Sequence, residues 1–238
     1  MIQYFFALVF LLSSSTAVIF SQNLSSFFDE ADALFGAYVT NGKVDYAALQ
    51  ANQDALNTVL ATAAQLKVSV SDKNNYQAFW INAYNLAVIK GIIDVYPTNS
   101  PIDNKGFFDE IKYDLGGVSV SLDAIENTLL RAQFSDPRFH FVLVCGAQGC
   151  PPLISKAYRP TTLESQLQQQ TIKAINNANF IKTSDGMVTV SELFKWYKVD
   201  FVSGGQTEID FLNKYRKVKI PKTARLSYYN YDWRLNGK

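Results

Sequence analysis

The sequence holds one histidine and two cysteines, and all three fall in one short segment as His140, Cys145 and Cys150. An imidazole beside two thiols supports several chemistries. A thiolate can attack a carbonyl carbon while the imidazole moves the proton. Two thiols five positions apart in an exported chain can close a local disulfide. With Glu126 the three could make a four-ligand zinc site, but H-x4-C-x4-C matches no standard zinc spacing, and the assignment carries no metal and no cofactor. Two inert buried thiols are the remaining reading. Nearby cations lower a thiol pKa, and Arg138 and Lys156 are close in sequence.

Cys150 is the preferred nucleophile, then Cys145. Phe139–Cys145 (FHFVLVC) has the composition of a strand. On a straight strand His140 and Cys145 would point to opposite faces. The Gly146-Ala147-Gln148-Gly149 loop lets Cys150 fold back, and Pro151-Pro152 fixes an extended exit. Glu126 or Asn82 would orient the imidazole, while Asn85, Arg138 and Gln148 would contact the substrate. The bland reading of Asn82 and Asn85 is structural: they sit i, i+3 on one helix face and, if buried, need partners.

The elements that position these residues read mostly as helices. Apolar spacing predicts helices over 25–39, 45–66, 72–94, 122–133, 162–177, from 191 and over 207–215. The 72–94 helix is apolar nearly all round, so it is expected at the centre of the fold. Thr40-Asn41-Gly42-Lys43 reads as a turn. Short strands are expected at 111–115 and 118–120 around Gly116-Gly117, then at 187–190 and 226–231. The expectation is an α+β fold: one helix-rich domain over 23–238, with a central buried helix and a small mixed or antiparallel sheet.

Composition narrows the function. The chain has 238 residues, 22 Lys+Arg against 21 Asp+Glu, and 48% apolar residues. That length and apolar content support a real core. A net charge of +1 argues against a dedicated nucleic-acid binder, which needs a basic surface. Residues 1–22 lack charged side chains and carry an apolar run from Tyr4 to Leu12, which predicts a cleaved signal peptide and export to a periplasm or the exterior. With that peptide removed no apolar run reaches membrane length. No phosphate-binding glycine motif, dinucleotide fingerprint, metalloprotease helix or nucleophile elbow is present. With no heptad seam, a monomer is assumed. A peptide or sugar is the ligand that an aromatic groove would suit.

Four stretches carry a resemblance: FWINAYNLAVI (79–89), LDAIENTLLR (122–131), DPRFHFVLVCGAQGCPPL (136–153) and LFKWYKVDF (193–201). The ending YYNYDWRLN (228–236) fits as well. Their content and order resemble the family called domain of unknown function 547, with a family-like core over about 70–236. The resemblance implies that Asn82, Asn85, Glu126, His140, Cys145 and Cys150 occupy motif positions. Asn127 departs from it, standing where many relatives carry His. Two functional classes follow. One is an exported thiol-dependent hydrolase or transferase with its site at 140–150. The other is a non-enzymatic binding or structural module, with a Cys145–Cys150 disulfide bracing the loop.

Overall fold

A computed structural model describes residues 24–238; the expected signal peptide, residues 1–22, lies outside the described residues. The fold is helix-rich α+β. Helix α1 (24–38) buries Phe27, Ala31, Leu34 and Phe35 at helical spacing. A two-residue hairpin follows, β1 (Val39–Thr40) against β2 (Lys43–Val44). Asn41 and Gly42 both take positive φ, as the tightest hairpin turn demands. A side chain at Gly42 would also collide with Pro152, so this turn abuts the exit from Cys150.

The helix expected over 45–66 is two helices, α2 (Tyr46–Ala51) and α3 (Asp54–Gln65). Asn52 breaks it: its backbone is extended, and its side-chain oxygen accepts from the Asp54 N–H at 3.1 Å. Short polar side chains compete with the helical ladder in this way. Helix α4 (Lys73–Val95) is the central helix, buried on nearly every side by α2, α3 and later elements. A hairpin, β3 (Tyr113–Leu115) with β4 (Val118–Val120), turns at Gly116-Gly117 as expected.

Ala124–Arg131 winds as a π-helix and ends in one α turn, α5 (Ala132–Phe134). The wider i→i+5 winding, seen in the Ala132 N–H bond to the Asn127 carbonyl, is rare and tends to mark functional sites.

The expected strand over 139–145 is not formed. Pro137–Phe141 is a 3-10 helix, and 142–145 continues without a strand partner. Asp136 accepts from the Arg138 N–H at 2.9 Å and Pro137 stands at the first helical position, a helix start. The apolar residues reflect burial, and a short buried run suits either geometry. Helix α4 supplies what a neighbouring strand would have given. Asn85 donates to the Val142 carbonyl at 3.0 Å and accepts from the Val144 N–H at 2.9 Å.

Helix α6 (Leu163–Ile175) leads into a mixed sheet in the order β5 (Ile181–Ser184), β6 (Met187–Ser191), β7 (Arg225–Tyr229). β6 is antiparallel to β5 and parallel to β7. Between β6 and β7 lie α7 (Leu193–Trp196), α8 (Lys198–Phe201) and α9 (Glu208–Tyr215), the last held by a Thr207/Asp210 capping box.

Two apolar cores result. One gathers around α4; the other gathers Phe141, Val188, Val190, Phe194, Phe201 and Phe211. Cys150 packs against both, so it sits at their seam. Among the described residues no helix is long and apolar enough to cross a membrane.

Candidate functional site

The Cys145–Cys150 loop is braced by main chain. Gln148 and Gly149 N–H groups donate to the Arg234 and Asp232 carbonyls at 2.7 and 2.8 Å, and the Asn236 N–H donates back to Gly146 at 2.9 Å. A side chain on Gly149 would meet Asp232 N at 2.9 Å, so glycine is what allows this approach. The Cys145–Cys150 disulfide, one of the readings open for this pair, is not formed: both cysteines are free. The tail supplies the bracing a bridge would have given, and it delivers Tyr231 and Trp233 beside the sulfurs.

Two donors converge on Cys150. The Tyr231 hydroxyl donates to Sγ at 2.9 Å and the Cys145 N–H at 3.0 Å. The neighbouring Cys145 thiol and Ala147 backbone also favour the Cys150 thiolate. Burial pushes the Cys150 thiol up, but these groups together outweigh it and its pKa lies below the ordinary thiol value. Cys145 goes the other way. Burial raises it far above the ordinary value, and its bond to Cys150 raises it further. Of the two sulfurs, Cys150 is therefore the more acidic. Tyr231, pushed up by burial and by both sulfurs, keeps its proton.

The second half of the site is built around His140, which is buried. Its Nε2 lies 2.7 Å from Asp200 Oδ2, and its ring packs on Tyr197 with centroids 4.0 Å apart. Burial alone would raise the Asp200 carboxyl; hydrogen bonds from His140 and from Arg131 Nε (2.8 Å) hold it at about 2. An ionised carboxylate only accepts, so Nε2 carries a proton and donates. In the neutral ring, Nδ1 is then the basic nitrogen. It faces Glu126 Oε1 at 3.9 Å, and the Glu126 carboxylate helps burial raise the Tyr197 hydroxyl. Arg131 lies over the Tyr197 ring, 4.7 Å from its centroid, and donates to Asn127.

Both halves line one cavity of about 350 Å³. Asp123 and the π-helix residues Glu126 and Asn127 form one wall; the central segment contributes His140, Leu143, Cys145 and Cys150. Aromatic rings close it: Tyr84, Phe108, Trp196, Tyr197, Tyr231 and Trp233.

The structure therefore brings His140, Cys145, Cys150 and Glu126 together, and places the other expected residues elsewhere. Asn82 clamps a loop: its Nδ2 donates to the Tyr158 and Ala78 carbonyls at 2.7 and 2.8 Å, and its Oδ1 accepts from the Tyr158 N–H at 2.9 Å. Asn85 is spent on Val142 and Val144. Arg138 is held by Asp136 and Glu164. Gln148 is exposed and donates to the Leu235 carbonyl at 3.3 Å. Sequence reasoning missed Asp200, Arg131, Tyr197 and Tyr231 as site residues. Their one signal was position: each lies in a motif stretch already singled out, at 122–131, 193–201 or 228–236.

Fold and site together define a helix-rich α+β protein with a thiol pair and an Asp-oriented histidine facing a common aromatic cavity. Residues 68–173 match the model of the family described as Protein of unknown function, DUF547. The match covers α4, the π-helix, His140 and both cysteines, and stops short of Tyr197, Asp200 and Tyr231. No curated protein and no solved structure matches the chain.

Proposed function

We propose that this is an exported thiol-dependent acyl hydrolase or transferase, with Cys150 as nucleophile and His140 as the proton carrier, oriented by Asp200. The observation that carries it is the convergence of the Tyr231 hydroxyl and the Cys145 N–H on Cys150 Sγ in the cavity that His140 also lines. Such convergence stabilises a thiolate, the form that attacks. Export rests on the charge-free apolar segment at 1–22.

With the Cys150 proton already held on His140 Nδ1, the Sγ thiolate bonds to the substrate carbonyl carbon and the C=O π pair moves onto the oxygen. The tetrahedral adduct collapses, the bond to the leaving amine, alcohol or thiol breaks, and that atom takes the proton from Nδ1. Water or a second nucleophile then adds to the acyl carbon, returning a proton to Nδ1. The C–S bond breaks and the thiolate is restored. Asp200 holds the ring and balances the imidazolium, as a carboxylate does in thiol and serine triads.

The test is alkylation of the native protein with iodoacetamide from pH 5 to 10, with the label located by mass spectrometry. One label on Cys150, half-maximal below pH 9, supports the reading; the same spectra show whether residues 1–22 have been removed. A panel of p-nitrophenyl esters should be hydrolysed by the native protein and not by Cys150→Ser. Label appearing first on Cys145, or ester turnover that survives Cys150→Ser, overturns it.

A further inference from the structure

The cavity's two walls differ in a way that the thiol chemistry does not use. Beyond the sulfurs stands a cluster of rings. Trp196 and Trp233 stack at 5.9 Å and 24°, and Tyr231 lies 5.1 Å from Trp196 and 4.8 Å from Trp233. Trp196 is 46% exposed, a large indole left open to solvent. The π-helix wall presents two carboxylates, Asp123 and Glu126. Among the described lining residues there is no Lys or Arg. The nearest guanidinium, Arg131, is already engaged by Asp200 and Asn127.

Aromatic faces attract cations through their quadrupole, and two carboxylates in a partly desolvated cleft do so through charge. An anionic acyl group would meet both carboxylates and the Cys150 thiolate. We infer that the cavity selects substrates bearing an organic cation, an alkylammonium or guanidinium group, seated between the Trp196–Trp233 rings and Asp123. This rests on the reading of Cys150 as nucleophile, since the cation would hold the acyl carbon at that sulfur. It names a substrate class and gives the aromatic wall a purpose beyond packing.

Two readouts test it on the mature protein. The first compares Cys150 modification by a trimethylammonium-ethyl and a sulfonato-ethyl methanethiosulfonate, each rate divided by that for free cysteine. The cationic reagent should be preferred by about tenfold or more. Asp123→Asn and Trp196→Ala should each reduce that preference; both sites are solvent-facing, so the fold should tolerate them. The second readout is tryptophan fluorescence, to which Trp196 and Trp233 contribute two of the chain's three indoles. Benzyltrimethylammonium should quench saturably, benzenesulfonate and benzyl alcohol should not, and Trp196→Ala should weaken the cation about tenfold.

The outcomes separate the two claims. Cys150 modified with free-cysteine selectivity, and no cation-specific quenching, overturns the cation site and leaves the thiol reading standing. Cation-specific quenching with an unreactive Cys150 leaves a cation-binding cavity and removes the nucleophile. Equal binding of cation and sulfonate overturns the inference whatever Cys150 does.

Discussion

Two groups of polar residues lie in the interior, and they are used in opposite ways. On helix α4, Asn82 and Asn85 spend their amides on backbone groups of the segments at 158 and 142–144. Their bonds are neutral, well matched and closed. Around the cavity, polar groups meet each other instead: a carboxylate with an imidazole and a guanidinium, a phenol with two thiols. Those contacts shift protonation and leave one atom of each set, Cys150 Sγ and His140 Nδ1, free to act. A polar group whose bonds are complete holds the fold, whereas one whose bonds set its charge can do chemistry. The cavity is the second kind of region resting on the first, because Asn85 fixes the segment that runs from His140 to Cys145.

The largest effect expected lies on α4. Asn82→Leu removes three bonds and strands the buried N–H and C=O of Tyr158. Each orphaned group costs roughly 1–3 kcal/mol, so a loss of about 3–5 kcal/mol is expected. For a chain of this size that lowers Tm by about 10 °C. Cys150→Ser, a near-isosteric change at a partly buried site, should move Tm by less than about 2 °C. Thermal unfolding of the two variants side by side checks the contrast. Equal Tm values would mean that the amides are not the structural half of the pair.

The same contrast explains what was legible in the sequence. The long apolar α4, the Asn41-Gly42 and Gly116-Gly117 turns and the His–Cys segment are local signals, and local physics decides them. The 3-10 turn at 137–141 read as a strand because burial and strand propensity favour the same residues. The π-helix has no periodicity of its own to distinguish it from the helix expected there. β5 escaped notice because only Ile181 of its four residues is buried. Asp200 could not be tied to His140 from the sequence, since 60 residues separate them and only the folding of α8 against the 3-10 turn joins them. Tyr231 meets Cys145 across 86 residues for the same kind of reason.

The next effect belongs to Asp200. Asp200→Asn should lower ester turnover roughly 100-fold, because Nε2 is no longer held by a charge and the imidazolium is no longer balanced. Alkylation of Cys150 at high pH should stay near the native rate, which a general collapse of the site would not allow. The carboxyl also predicts an acid signature. Its pKa is held at about 2 in the fold against an ordinary 3.8, so its stabilisation is present above about pH 4 and is lost as pH falls through 2. The contribution is of order 1 kcal/mol once solvent screening is allowed for. Urea midpoints measured from pH 5 to pH 2 should fall less steeply in Asp200→Asn than in the native protein.

The smallest effect is the sharpest probe of the thiol half. Tyr231→Phe keeps the ring against Trp196 and Trp233 and removes only the hydroxyl that donates to Cys150. A donor lost from an anion destabilises the anion, so the Cys150 pKa must rise. A charge-assisted bond of about 1.5 kcal/mol corresponds to roughly one pH unit. Iodoacetamide labelling at pH 7 should slow about three- to tenfold, and the difference should vanish above pH 10, where both proteins carry the thiolate. Slowing that persists at high pH would mean that the hydroxyl shapes access to the sulfur and not its charge. No change at all would leave the Cys145 N–H as the sufficient donor, and would move Tyr231 from the chemistry to the aromatic wall.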